Sequence, residues 1–359
     1  MAARGRQLPA LTGLRFLLAA WVLLDHLTGR GMFLDTGVNA LPLAAGSIVH
    51  HGYLAVSTFF VLSGFVLARG YADRNWTRTT LAAYGVARLA RVLPVYALSL
   101  LVVAPFMAAD AFPPSAERAT ALASYLLLLQ GWTGRLAFNW NTPAWSLSCE
   151  MFFYLCFPLV IVWLGRAGRS AALIVAALAC VLPSALLRVG VPDMWKPLIH
   201  LADFLMGVAA ARVYELLLAP RRALAGRGYW LYAPGAVAAL ALIAWPQMLG
   251  GTLVLNDALR PLNALLLVGL ALGGGWLAHA LAARLTVYLG QASYAMYILH
   301  IPLLWWYRRL GPRWLGPLPP TASGLLYAAV VVAVSATVFR FFEDPANRLI
   351  RGWARERCS

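Results

Sequence analysis

The chain has 359 residues, of which 62% are hydrophobic and 12% charged; mean hydropathy is +0.73 and the formal net charge is +16. A soluble domain is roughly 45–50% apolar and about 25% charged, so the composition excludes one and indicates a polytopic membrane protein whose surface only a bilayer can solvate. The basic residues are dispersed between apolar spans, which excludes a nucleic-acid partner and fits positively charged cytoplasmic loops.

Four cysteines, at 149, 156, 180 and 358, lack the CxxC spacing of a zinc site and do not form a disulfide framework. The first apolar run is long and studded with polar groups, with no A-x-A site after it, so no cleavable signal peptide is expected.

Apolar spans are expected near 11–27, 52–69, 92–109, 119–132, 150–164, 171–188, 198–218, 229–248, 261–281, 287–306 and 323–342. The fourth is shorter than the roughly 17 residues a crossing needs. If it does not cross, 19 basic residues face the cytoplasm and 9 face outward, setting Arg15 aside. Arg4, Arg6, Arg166, Arg169, Arg221, Arg222, Arg284 and Arg348 are among the former; Arg30, Lys196, Arg260 and the misfitting triplet Arg308, Arg309 and Arg313 are among the latter. The expected fold is therefore all-α: a polytopic helix bundle of about ten crossings with both termini cytoplasmic, plus one interfacial or re-entrant helix in an outer loop over 110–149. Short connections and the absence of repeats predict a single membrane domain over 1–359.

The first span, LTGLRFLLAAWVLLDHL, carries Arg15, Asp25 and His26. Arg15 and His26 are eleven residues apart, about three turns, near one helical face and about 16 Å apart along the axis. An ionisable group in a membrane helix costs about 2.5 kcal/mol or more unless it faces protein or water, so each is a functional candidate. The plainer alternative is a topology anchor at Arg15 and an interfacial histidine.

In GYLAVSTFFVLSGFVLARGY, small residues let helices approach, and packing accounts for Gly64; Ser63 is a candidate lining residue of a substrate path. Arg88 and Arg91, one turn apart just before a span expected to begin at Pro94, signal topology and also suit a clamp on a phosphorylated cytosolic donor, because guanidinium forks match phosphate oxygens. In NWNTPAWSLSCEMFFYLCFP, Asn141 or Thr142 can cap a helix with Pro143 at its first position. Glu150 would sit on the outer side with Asp25 and His26, and a carboxylate that orients a histidine makes a base dyad. His200 and Asp203, one turn apart, can satisfy each other. Ser293, Tyr297 and His300 share a helical face, with belt aromatic and structural histidine as the plain alternatives. Glu343 and Asp344 are expected to pair with Arg340 or Arg348. No Walker loop, HExxH, GxSxG or metal-ligand cluster occurs, which argues against an ATP-driven pump, a zincin and a serine hydrolase.

Six stretches in order resemble the integral-membrane acyltransferase 3 family, whose members O-acylate sugars: Arg15-x10-His26, FFVLSGF at 59–65, RLARVLP at 88–94, W-S-L-x-x-E at 145–150, GQASYAMYILHIP at 290–302 and FEDP at 342–345. Ser57 stands where the family often has an acidic residue. The resemblance implies no permanently bound cofactor, with acetyl-CoA or another acyl-CoA as cytosolic donor. The acceptor it implies is a hydroxyl of a surface glycan, lipid-linked sugar or glycosylated metabolite, with a cell-membrane location. The family's essential arginine and histidine map onto Arg15 and His26, and its basic pair onto Arg88 and Arg91. The expected catalytic set is His26 as general base, Arg15, Asp25 and Glu150; the expected donor contacts are Arg88, Arg91 and Ser63, and the expected acceptor contacts Trp145, Tyr297 and His300. A smaller acceptor, a partner protein or a homo-oligomer is consistent with the lack of an appended hydrolase-like domain. The rival readings are a secondary transporter exporting a glycoconjugate and a membrane scaffold.

Overall fold

The structure, a computed structural model, describes residues 8–29, 31–72, 74–106, 115–167, 170–190, 195–215, 222–249 and 252–358. Arg4, Arg6, Arg30, Arg169 and Arg221 of the charge count lie outside these. The described residues form α1 (Pro9–Thr28), α2 (Asp35–Asn39), α3 (Leu43–His50), α4 (Ala55–Tyr71), α5 (Arg78–Phe106), α6 (Ser115–Leu126), α7 (Trp145–Arg166), α8 (Ser170–Arg188), α9 (Lys196–Val213), α10 (Tyr229–Ala244), α11 (Thr252–Leu272), α12 (Gly275–Leu281), α13 (Arg284–Leu315), α14 (Pro320–Val338) and α15 (Asp344–Cys358). No strand occurs among them. The architecture is all-α, and seven of the described helical segments are long and apolar enough to cross a membrane. Each of the ten expected crossings has a helix, but the one expected over 261–281 is broken. Gly273, Gly274 and Gly275 all have positive φ (76°, 90° and 79°), a conformation that ends α11 and starts α12.

The chain divides into two compact units interleaved in sequence. The first comprises Met1–Arg74, Leu159–Val191 and Ile199–Gln291. Within it α1 packs on α3, α4, α11 and α12, and α11 packs on α4, α8 and α10. Helices α4 and α9 touch backbone to backbone: a Cβ on Gly64 would fall 2.1 Å from the Phe204 carbonyl oxygen, and one on Gly207 1.8 Å from that of Val61. That confirms packing as the reason for Gly64. The first unit also buries charge. Arg260 (3% exposed) donates to Asp203 (1%) at 2.6 Å, to Asp257 at 2.8 Å and to the Ala179 carbonyl at 3.1 Å. Asp203 also meets His200 at 2.8 Å, and Ser184 donates to Asp257. Arg260, counted above as an outer-loop charge, is thus an interior ion-pair partner tying α8, α9 and α11.

The second unit comprises Asn75–Pro158, Pro192–Leu198 and Ala292–Ser359. Its α5 begins at Arg78, so Pro94 lies inside a helix rather than opening one. Arg88 and Arg91 are ten and thirteen residues into α5, about 15 and 20 Å along the axis. The misfit triplet Arg308, Arg309 and Arg313 occupies the exposed end of the 32-residue α13, where the helix dipole favours cations. A π-turn over Phe339–Glu343 joins α14 to α15, and α15 packs along α5.

The short fourth span holds α6, and the segment 126–144 connects it to α7. After α6 the chain runs through 3-10 turns that alternate exposed apolar residues such as Leu129 and Phe138 with buried ones such as Leu136 and Ala137. Gln130 and Asn141 have no exposed surface. Gln130 donates to the Ala144 carbonyl at 2.6 Å, Trp140 to that of Leu100 at 3.2 Å, and Asn141 to Ser99 at 3.1 Å and the Ile298 carbonyl at 3.0 Å. Asn141 precedes the turn Thr142–Ala144, yet its side chain makes no cap bond. It fastens the segment to α5 and α13 instead.

Candidate active site

The first unit carries Arg15, Asp25, His26 and Ser63. Helix α1 is continuous through Arg15 and His26, so their helical offset is preserved. Arg15 is half-buried. His26 is also half-buried, and its Nδ1 lies 2.9 Å from the Val22 carbonyl oxygen. A carbonyl only accepts, so Nδ1 carries the ring proton and the lone pair sits on Nε2. That is the tautomer of a base. Asp25 packs against the backbone at Gly52, just before α4: a Cβ on that glycine would fall 2.6 Å from Asp25 Cβ. Ser63 is partly buried in α4.

The second unit gathers a charged aromatic cluster around the middle of α5. The Arg88 guanidinium carbon lies 6.0 Å from the Tyr84 ring centroid and 5.8 Å from that of Tyr154; Arg91 lies 5.4 Å from that of Tyr294. These are cation–π distances. Tyr154 donates to Glu150 at 3.1 Å, and Tyr84 to the Tyr154 carbonyl at 3.1 Å. Arg91 donates to Glu343, whose side chain is 1% exposed. Glu343 thus pairs with an arginine of α5, and Asp344 pairs with Arg348. Tyr154 touches both Glu150 and Arg88, so Glu150 belongs to the arginine cluster of its own unit. Two cations and two carboxylates make this cluster nearly neutral, with Arg91 committed to Glu343.

Tyr297 and His300 are buried on α13. Tyr297 donates to the Pro143 carbonyl at 3.2 Å, His300 Nδ1 donates to that of Tyr297 at 2.6 Å, and Tyr327 donates to that of His300. Trp145 is the half-buried first residue of α7. Tyr297 thereby joins α13 to the turn that opens α7.

The acyltransferase 3 model, described as an acyltransferase domain, matches residues 8–340. The chain belongs to the acyltransferase 3 family. It is 29% identical to "Acyltransferase MdmB" of Streptomyces mycarofaciens over 98% of this chain and 94% of that protein. Over 44% of this chain it is 28% identical to a quarter (25%) of "O-acetyltransferase OatA" of Staphylococcus aureus. It is also 31% identical to "Protein 2 in picA locus" of Rhizobium radiobacter over 36% of this chain and 75% of that one. No solved structure matches. As an acyltransferase 3 protein with these apolar helices, the molecule is a multi-pass membrane O-acyltransferase.

For this acyltransferase, the sequence located an imidazole and its arginine on one helix but missed several partners. Glu343 as the counter-ion of Arg91 left no local signal, because 252 residues separate the two. The Asp257–Arg260 contact was readable, since i and i+3 share a helical face. The interior placement of Gln130 and Asn141 was not, because polar residues in a loop ordinarily read as solvated.

Proposed function

We propose that the protein moves an acetyl or other short acyl group from acyl-CoA to a hydroxyl of a sugar-containing acceptor, with His26 as general base. The observation that carries this reading is the bond from His26 Nδ1 to the Val22 carbonyl, which leaves Nε2 as the proton-accepting atom. Nε2 takes the hydroxyl proton as the oxygen forms a bond to the thioester carbonyl carbon. The C–S bond then breaks and the imidazolium returns the proton to the CoA thiolate, so thioester and alcohol become ester and thiol. Histidine suits this task because it exchanges a proton near neutral pH.

Arg15 holds the donor, either at the thioester or at a CoA phosphate; the 16 Å offset along α1 suits an extended molecule. Asp25 fixes the chain beside the base. Arg88 is the donor-facing guanidinium of the second unit, and Arg91, Glu150 and Ser63 complete the proposed donor-handling and catalytic set. Trp145, Tyr297 and His300 are the proposed acceptor contacts, and Tyr297 also ties α13 to the segment before α7. The positive-inside asymmetry supports a cell-membrane protein with both termini cytoplasmic.

The test is purified His26→Ala. It should remain monodisperse and bind acetyl-CoA, while acyl transfer falls by about 10²–10⁴-fold. Undiminished transfer would discard the assigned base.

A further inference from the structure

Between α1 and α4 lies a polar cluster that the reaction scheme above does not use. The chain there folds as α2, α3 and a 3-10 turn over Gly52–Leu54, and it is pinned onto α1. Trp21 Nε1 donates to the Ile48 carbonyl at 2.8 Å. Thr28 donates to the Asp25 carbonyl at 2.8 Å, which leaves its oxygen to accept from His50 Nδ1 at 3.2 Å. Gly52 has no room for a side chain: a Cβ would fall 2.4 Å from the Trp21 carbonyl oxygen and 2.6 Å from Asp25 Cβ. The run His50-His51-Gly52-Tyr53 is thus fixed against the residue that precedes His26.

The side chains of this run have a common chemistry. His51 Nδ1 donates to the Ser47 carbonyl at 2.7 Å, so both His50 and His51 carry the ring proton on Nδ1 and an accepting lone pair on Nε2. The His51 and Tyr53 rings lie 5.6 Å apart and tilted, and Tyr53 is 39% exposed. Two imidazole acceptors beside an exposed aromatic face match a pyranose, whose hydroxyls donate and whose C–H face stacks on a ring. We infer that the turn His50–Tyr53 is the wall that binds the acceptor sugar and delivers its hydroxyl to His26. This rests on the proposed reaction and adds the residues that recognise the alcohol.

The experiment uses the full-length protein in nanodiscs, with acetyl-CoA as donor and a panel of methyl pyranosides as acceptors. Tyr53→Ala and His51→Ala should each raise the glycoside KM by about tenfold, with acetyl-CoA affinity by calorimetry unchanged, and Tyr53→Phe should restore the wild-type KM by keeping the ring. On wild-type protein, the best glycoside should protect His50 and His51 from diethylpyrocarbonate. This second readout needs no variant to fold. Unchanged glycoside KM in both alanine variants, or no protection, overturns the inference even where His26→Ala is inactive. Full activity of His26→Ala with a raised KM in Tyr53→Ala would instead overturn the base and keep the wall.

Discussion

Arg260 donates from Nε to Asp203 Oδ1 at 2.6 Å with both side chains nearly free of solvent contact, and Asp257 and His200 close the network around them. Removing one partner of such a pair strands a buried charge and costs about 3–5 kcal/mol, while replacing both with apolar residues of similar volume costs far less. Asp203→Ala and Arg260→Ala should therefore lower the unfolding midpoint in detergent sharply, and Asp203→Leu combined with Arg260→Met should recover much of it. Thermal unfolding followed by size-exclusion chromatography measures this; a wild-type midpoint for either single variant would show the pair to be idle.

The bond between Arg91 and Glu343 makes a different prediction for the two arginines of the RLARVLP stretch. Arg88→Ala should weaken acyl-CoA binding more than acceptor binding. Arg91→Ala should act mainly through its partner, so a double-mutant cycle of Arg91→Ala with Glu343→Ala should return a coupling energy of about 0.5–3 kcal/mol in unfolding free energy. Strict additivity would refute the pairing.

Arg15→Lys keeps the charge and removes the planar fork, which is not a conservative change where oxygens are held bidentately. Donor KM should rise while the midpoint of unfolding stays close to wild type. Equal donor KM for Arg15→Lys and wild type would reduce Arg15 to a point charge.

At the α4–α9 contact, Gly64→Leu should force the helices apart, because even a Cβ there meets the Phe204 carbonyl. Overpacking of this kind costs about 1–3 kcal/mol or more. A Gly64→Leu protein with unaltered thermal stability would mean that the two backbones are not in contact.

Asn141→Ala should loosen the segment between α6 and α7 by removing its bonds to Ser99 and the Ile298 carbonyl. Leaving such buried partners unmet costs about 1–3 kcal/mol. Limited proteolysis should then cut faster between Leu126 and Trp145; an unchanged cleavage rate would show that Asn141 does not hold the segment.

The sequence by itself determined the apolar helices, because a bilayer demands long runs of uncharged residues whatever their neighbours do. Helical period placed Arg15 and His26 on one stretch of α1. Only the tertiary structure decided which polar groups meet. The span was expected to begin at Pro94, yet α5 begins sixteen residues earlier, at Arg78, and runs through it, packed along α15. Glu343 found Arg91, 252 residues away, and Asp25 came to rest against the backbone at Gly52. Inside an apolar protein, polar side chains must pair with one another or with backbone, and partners far apart in sequence become available only when the helices pack.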